Sequence, residues 1–162
     1  MNMDGGIHLV PVPDLDGSLW LCGKHRIGPD PSGTLREVAA EHVVCLVHEH
    51  ELADRYPFYV EWARSSGKVT WFPIHDLSAP PLSEFLPLLH ALHRRLSDGE
   101  SVIAHCAAGI GRAGTLAAAV CVMSGMTADD AVAHVRSHRP GAGPEVGPQR
   151  ELLDALERSL GR

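Results

Sequence analysis

The chain has 162 residues, a length suited to one domain around a single hydrophobic core. Hydrophobic residues make up 44% and charged residues 21%, the ordinary balance of a soluble globular protein, and no apolar run reaches the roughly 20 residues of a membrane span. A formal charge of -6 speaks against a general nucleic-acid binder, although a local positive field could still hold an anionic substrate.

Residues 1–6 carry neither a basic nor an apolar segment of the signal-peptide kind, so no leader is expected and this stretch reads as flexible. Ile7 to Val12 alternates weakly and is stopped by Pro11 and Pro13, which limits it to a short edge strand. Asp14 to Gly17 is a turn, and Ser18 to Gly23 a second strand. Gly28 to Gly33 has the chemistry of a loop, followed by a short helix over Thr34 to Glu41. His42 to Val47 is β-branched and apolar on both faces, as a buried strand requires. Glu49 to Arg55 and Pro57 to Ser66 read as helices, the second opened by Pro57 and closed by Gly67.

Lys68 to Ile74 is a further strand, ended by Pro73, and His75 to Pro81 is a loop. Ser83 to Ser97 is an amphipathic helix with Phe85, Leu89, Leu92 and Leu96 on one face. The short apolar run Val102 to Cys106 is a buried strand, and the helix after it is apolar nearly all round. Thr127 with Asp130 fits the start of another helix, Arg139 to Pro144 a rigid loop, and Pro148 the opening of the last helix. Alternating strands and helices predict an α/β fold: a mostly parallel central sheet of four to five strands with helices on both faces. Residues 1–162 read as one domain, with no internal repeat or linker.

The functional signal is concentrated between Val102 and Thr115. A loop that enters a helix offers unpartnered N–H groups and the positive end of the helix dipole, which together favour an anion. Gly109 and Gly111 let Ala107, Ala108, Gly109, Ile110 and Gly111 wrap their main chain around a tetrahedral group. Arg112 closes the ring with a fork that matches phosphate. Thiols in such a field ionise more readily, and Cys106 is read as a thiolate nucleophile facing a phosphoryl group.

These residues resemble the signature of the cysteine-dependent protein tyrosine and dual-specificity phosphatases: His105-Cys106, five residues, Arg112, with Gly109, Gly111, Gly114 and Thr115 in place. The resemblance runs from about Ser18 to the last helix and implies the family's fold and a phosphocysteine intermediate, with no metal or cofactor. It also implies a general acid on a loop about 30 residues earlier, and Asp76 lies 106 − 76 = 30 positions before the cysteine. His105 is expected to hydrogen-bond nearby main chain and hold the loop. Gln149 resembles the glutamine that orients water in some relatives. Asp54 and His75 are weaker acid candidates.

One position departs from the family. Relatives place Ser or Thr directly after the arginine, and here the residue is Ala113. The resemblance then implies slower breakdown of the phosphoenzyme, with Thr115 a poor substitute. Ala107, Ala108 and Ile110 carry no charge, whereas relatives that act on inositol phosphates tend to have lysines there, so the expected substrate is a phosphoprotein bearing phosphotyrosine and possibly phosphoserine or phosphothreonine. Neither a nucleic acid nor a membrane is expected as partner.

Other readings are weaker. Cys45, on a strand expected beside that of Cys106, reads as a core residue or as a redox partner of Cys106. Cys121 reads as core. The absence of a CxxC pair among Cys22, Cys45, Cys106 and Cys121 suggests a reducing, cytoplasmic setting. His42, His48, Glu49 and His50 suggest a metal hydrolase but lack ligand spacing. A catalytically impaired phosphate-binding module is the alternative that Ala113 keeps in play.

Overall fold

The structure, a computed structural model, describes residues 4–162. Five strands form one sheet: β1 (Ile7–Val10), β2 (Leu19–Gly23), β3 (His42–Cys45), β4 (Val69–Trp71) and β5 (Val102–Cys106), in the order β1-β2-β5-β3-β4. Only β1 runs antiparallel. The helices are α1 (Lys24–Ile27), α2 (Pro31–Glu37), α3 (Pro57–Ser65), α4 (Leu82–Ser97), α5 (Gly111–Met123), α6 (Ala128–His138) and α7 (Gly147–Ser159).

β5 sits in the middle because it can be buried on both faces, with every residue from Val102 to Cys106 covered. Ala104 pairs with Leu21 of β2 on one side and Val44 of β3 on the other. α5 leaves the carboxyl end of this strand and is buried from Gly111 to Val122 among α4, α6 and α7. Its Ala117-Ala118-Ala119 run permits close helix packing, and Leu116, Val120 and Val122 fill the gaps. Cys106 therefore lies at the centre of the sheet's carboxyl edge, where α/β folds place their ligands.

Several elements differ from the sequence reading. α2 begins at Pro31 rather than Thr34, because the Asp30 carboxylate accepts from Gly33 N at 2.9 Å and Pro31 occupies the first turn. α1 is a single turn directly after β2 that the breaker pattern did not reveal. Glu49 to Arg55 is not a helix but one 3-10 turn, Glu49–Glu51, and a bend. Pro57 disfavours helical geometry at Tyr56, and Glu51 reaches back to His48 N at 2.9 Å. β4 ends at Trp71, although Phe72 N and Ile74 N still donate to Cys45 O and Leu46 O on either side of Pro73. Of the stretch expected to be flexible, residues 1–3 lie outside the described residues, while Gly5 and Gly6 are held by their carbonyls, which accept from Arg139 at 3.3 and 3.2 Å.

Candidate active site

The loop from Cys106 to Ile110 turns its carbonyls outward, and each finds a donor. Cys106 O accepts from His105 Nδ1 at 3.2 Å and Ala107 O from Lys24 N at 2.9 Å. Ala108 O and Gly109 O accept from the Arg139 guanidinium at 3.0 and 2.8 Å. Ile110 O takes Gly114 N and Gly143 N, at 2.9 and 3.0 Å. In a planar trans peptide the next N–H points opposite its carbonyl. Outward carbonyls therefore turn the N–H groups of Ala107 through Gly111 inward. Among the described residues no acceptor takes any of them. Gly109 is required for this path: its φ is +74°, and a Cβ there would lie 2.4 Å from Cys22 O.

Arg112 completes the cradle. Its terminal nitrogens grip Glu51, with Nη1 to Oε2 at 3.0 Å and Nη2 to Oε1 at 2.9 Å, and Nη1 also donates to Ile74 O at 2.8 Å. That leaves Nε–H, buried and without a partner, and the second Nη2 proton. These two share the remaining edge of the fork, the edge that takes two oxygens of one phosphate. Burial opposes the charge of Arg112, but its hydrogen bonds to Glu51 together with the nearby Cys106, Glu51 and Asp76 side chains outweigh it and raise the pKa. Burial likewise pushes the Glu51 carboxyl up, and hydrogen bonds from Arg112 and His48 N more than reverse this, so it ends below the usual range.

A cavity of about 160 Å³ opens over this loop, lined by Asp76, Leu77, Cys106, Ala107, Ala108, Gly111, Arg112 and Glu145. Asp76 stands at its mouth with the side chain 68% exposed and Oδ1 3.6 Å from Arg112 Nη2. The loop that carries it is anchored on both sides. Ile74 N donates to Leu46 O at 3.0 Å, and Ser78 O accepts from Gln149 Nε2 at 3.3 Å. Leu77 between them has φ of 57°, a left-handed conformation rarely adopted by a branched residue.

His105 is buried under the loop. Its Nδ1 donates to Cys106 O, so its Nε2 must accept from Tyr59 OH, at 2.5 Å. Burial lowers its pKa to about 4 and raises that of Tyr59 well above the usual value, which keeps this arrangement neutral. Cys22 and Cys45 both sit opposite His105 in the sheet, on the two neighbouring strands. Burial pushes both thiols up to about 12. Cys45 is in no disulfide and its thiol donates weakly to Val47 O at 3.9 Å, and the register sets it beside His105 rather than Cys106. Cys121 is likewise in no disulfide and is buried in α5.

The structure thus brings Cys106, Arg112 and Asp76 to one cavity. Gly109 and Ile110 enter through their main chain and are not on the cavity wall. Gln149 is buried and joins the Asp76 loop to Glu145, whose N–H donates to its Oε1 at 2.7 Å. Thr115 is not at the thiol: its Oγ1 is buried without a partner, beside a small apolar gap under the Asp76 loop. Ala113 is fully buried. His75 stacks on His48 with ring centroids 4.4 Å apart, away from the cavity, and Asp54 lies in an exposed turn. His42 is far along the sheet, bonded to Thr70 Oγ1 at 2.7 Å. Among the described residues no three His, Cys, Asp or Glu side chains are grouped to hold a metal ion. Sequence reasoning missed Glu51, Arg139 and Glu145. Only the capping-box spacing of His48 and Glu51 could have singled out the first.

Fold and site together define a protein of the cysteine-dependent tyrosine and dual-specificity phosphatase class. Residues 30–126 match the family described as "Polymorphic toxin system, DSP-PTPase phosphatase", and the chain belongs to that family. It is 38% identical over 76 residues to protein tyrosine phosphatase type IVA 3 of Bos taurus, covering 46% of this chain and 43% of that one. With dual specificity protein phosphatase 1 of Arabidopsis thaliana it shares 43% identity over 64 residues, 39% of this chain and 32% of the other. The chain thus spans less than half the length of these curated relatives. The crystal structure of Tk-PTP in the active form matches with a TM-score of 0.70 and 31% identity, covering 93% of this chain and 96% of that one. A kinase-associated phosphatase, 18% identical, shares the fold with a TM-score of 0.81 over 96% of each chain.

Proposed function

We propose that the protein hydrolyses phosphomonoesters on proteins, at phosphotyrosine and also at phosphoserine or phosphothreonine, through a phosphocysteine. The observation that carries this reading is the inward-facing ring of N–H groups closed by the open edge of Arg112, with Cys106 at its base. A phosphate seated there has three oxygens bound and its phosphorus presented to Sγ. The thiolate forms the S–P bond as the ester P–O bond breaks, and Asp76 gives its proton to the departing oxygen. Water then attacks phosphorus, Asp76 takes a proton from it, and the S–P bond breaks to regenerate the thiolate. The main-chain donors and Arg112 stabilise the charge that spreads over the equatorial oxygens. Glu51 orients Arg112, and His105 and Arg139 hold the loop.

A second reading has support from Ala113 and Thr115. No hydroxyl reaches Cys106 from α5, so the phosphoenzyme breaks down slowly and the protein can act as a phosphate trap. Hydrolysis of an aryl phosphate in excess EDTA separates the two. Sustained turnover that vanishes in Cys106→Ser and falls roughly 10²–10⁴-fold in Asp76→Asn supports the hydrolase. A single turnover with no steady state supports the trap, and turnover surviving in Cys106→Ser defeats both.

A further inference from the structure

The rim of the phosphate cavity is acidic. Glu145, which belongs to no part of the proposed reaction, places Oε1 so close to Gly111 that a Cβ there would lie 2.0 Å from it. Its carboxylate therefore stands over the first turn of α5, on the cavity wall, where Arg112 is the one cation among the described residues. The main chain that carries it is fixed at three points. Gly143 N donates to Ile110 O at 3.0 Å, Arg136 Nη2 to Pro144 O at 3.1 Å, and Glu145 N to Gln149 Oε1 at 2.7 Å. Arg136 and Arg150 line the groove on the far side of Glu145, but Arg150 is paired with Asp129 and Asp154. Among the described residues Glu145 has no ion-pair partner of its own.

Once a phosphate has taken Arg112, the residues left at the mouth are Asp76 and Glu145, both acidic, with Leu77 and the neutral Ala107 and Ala108. A carboxylate carried at the rim on a held main chain attracts a cation and repels a second anion, and the pattern of charge at a site sets which partner is favoured. We propose that Glu145 is a specificity determinant that selects phosphoprotein segments carrying Arg or Lys beside the phosphorylated residue and disfavours segments with a flanking carboxylate or second phosphate. This rests on the phosphatase reading above for its substrate class.

The test uses two phosphotyrosyl peptides of equal length, one with Arg on both sides of the phosphotyrosine and one with Asp. Exposed ion pairs contribute up to about 1 kcal/mol, so wild type should favour the Arg peptide about fivefold in kcat/KM. The preference should fall towards unity in Glu145→Gln, reverse in Glu145→Lys, and shrink as salt rises. Equal rates on the two peptides in wild type, or a preference that survives both substitutions, would overturn the proposal. Peptide Kd values measured with Cys106→Ser keep the two claims apart. If wild type hydrolyses no aryl phosphate, the phosphatase reading fails. Selection by Glu145 still stands if the Arg peptide binds more tightly, and falls if the two bind equally or not at all.

Discussion

Removing the Arg139 guanidinium should cost both stability and phosphate affinity. The residue is 2% exposed, and among the described residues no carboxylate forms an ion pair with it. Main-chain carbonyls hold it instead: Nε donates to Gly109 O, Nη2 to Ala108 O, and Nη1 to Gly6 O, while His8 Nδ1 accepts from Nη1 at 2.6 Å. Burial lowers its pKa, so the site tolerates the charge because carbonyl dipoles face it from several sides. In Arg139→Met the carbonyls of Gly109 and Gly6 lose their donor where water does not reach, at about 1–3 kcal/mol each. Relief of the buried charge offsets part of this, leaving a net loss of about 2–4 kcal/mol in urea unfolding. With Gly109 O free to turn, the N–H of Ile110 no longer points inward, and KM for an aryl phosphate should rise about tenfold, equivalent to about 1.4 kcal/mol. Arg139→Lys restores the charge but lacks the planar fork whose separate nitrogens reach Gly109 O, Ala108 O and Gly6 O together, and should fall between the two. If Arg139→Met unfolds within about 0.5 kcal/mol of wild type and keeps its KM, the keystone role is wrong.

Three further outcomes follow from the same geometry. Glu51→Gln leaves Arg112 without its charged partner and should lower kcat/KM about 10–100-fold, in line with about 1.5–3 kcal/mol for charge-assisted hydrogen bonds. Because the Glu51 pKa is lowered in the fold, the stability gap between wild type and this variant should be full above about pH 4.5 and close as pH falls below it, read by urea unfolding across pH. Ala113→Ser supplies a hydroxyl directly after Arg112 and should raise steady-state turnover, with less phosphoenzyme accumulating in a rapid-quench experiment. A folded variant with unchanged or lower turnover would count against that. His105 titrates at about 4 in the fold against 6.5 when exposed, so between those values the unfolded chain binds a proton that the native chain does not. Stability should be full above pH 6.5 and decline as pH falls towards 4, by about 3 kcal/mol from this residue. His42, also near 4, adds to the same decline, and a flat profile over this range would contradict the neutral assignment of both rings.

The sequence made the central strand, the loop and the apolar helix legible, because burial on both faces of Val102–Cys106 and the glycine spacing after it leave few alternatives. Asp76 was legible through its distance from Cys106. The long-range partners were not. Glu51 lies 61 residues from Arg112, in the stretch Glu49 to Arg55 that reads as a helix, and it is a one-turn element because His48 and Pro57 bracket it. Arg139 looked like one residue of a rigid Pro-Gly loop, since its role depends on α6 delivering it beneath Gly109. Glu145 carried no signal at all, because nothing in Gly143-Pro144-Glu145 indicates that the segment docks on Ile110. Boundaries moved where a cap outweighed a breaker, as at Asp30 and Pro31.

The claim at the centre is a covalent bond between Cys106 and phosphorus. The most direct measurement is acid quench of the protein during turnover of an aryl phosphate, followed by peptide mass analysis. The account predicts one phosphate on the peptide containing Cys106, more in wild type than in Ala113→Ser, and none in Cys106→Ser. Turnover with no phosphate on that peptide at any quench time, or phosphate on another residue, would contradict it.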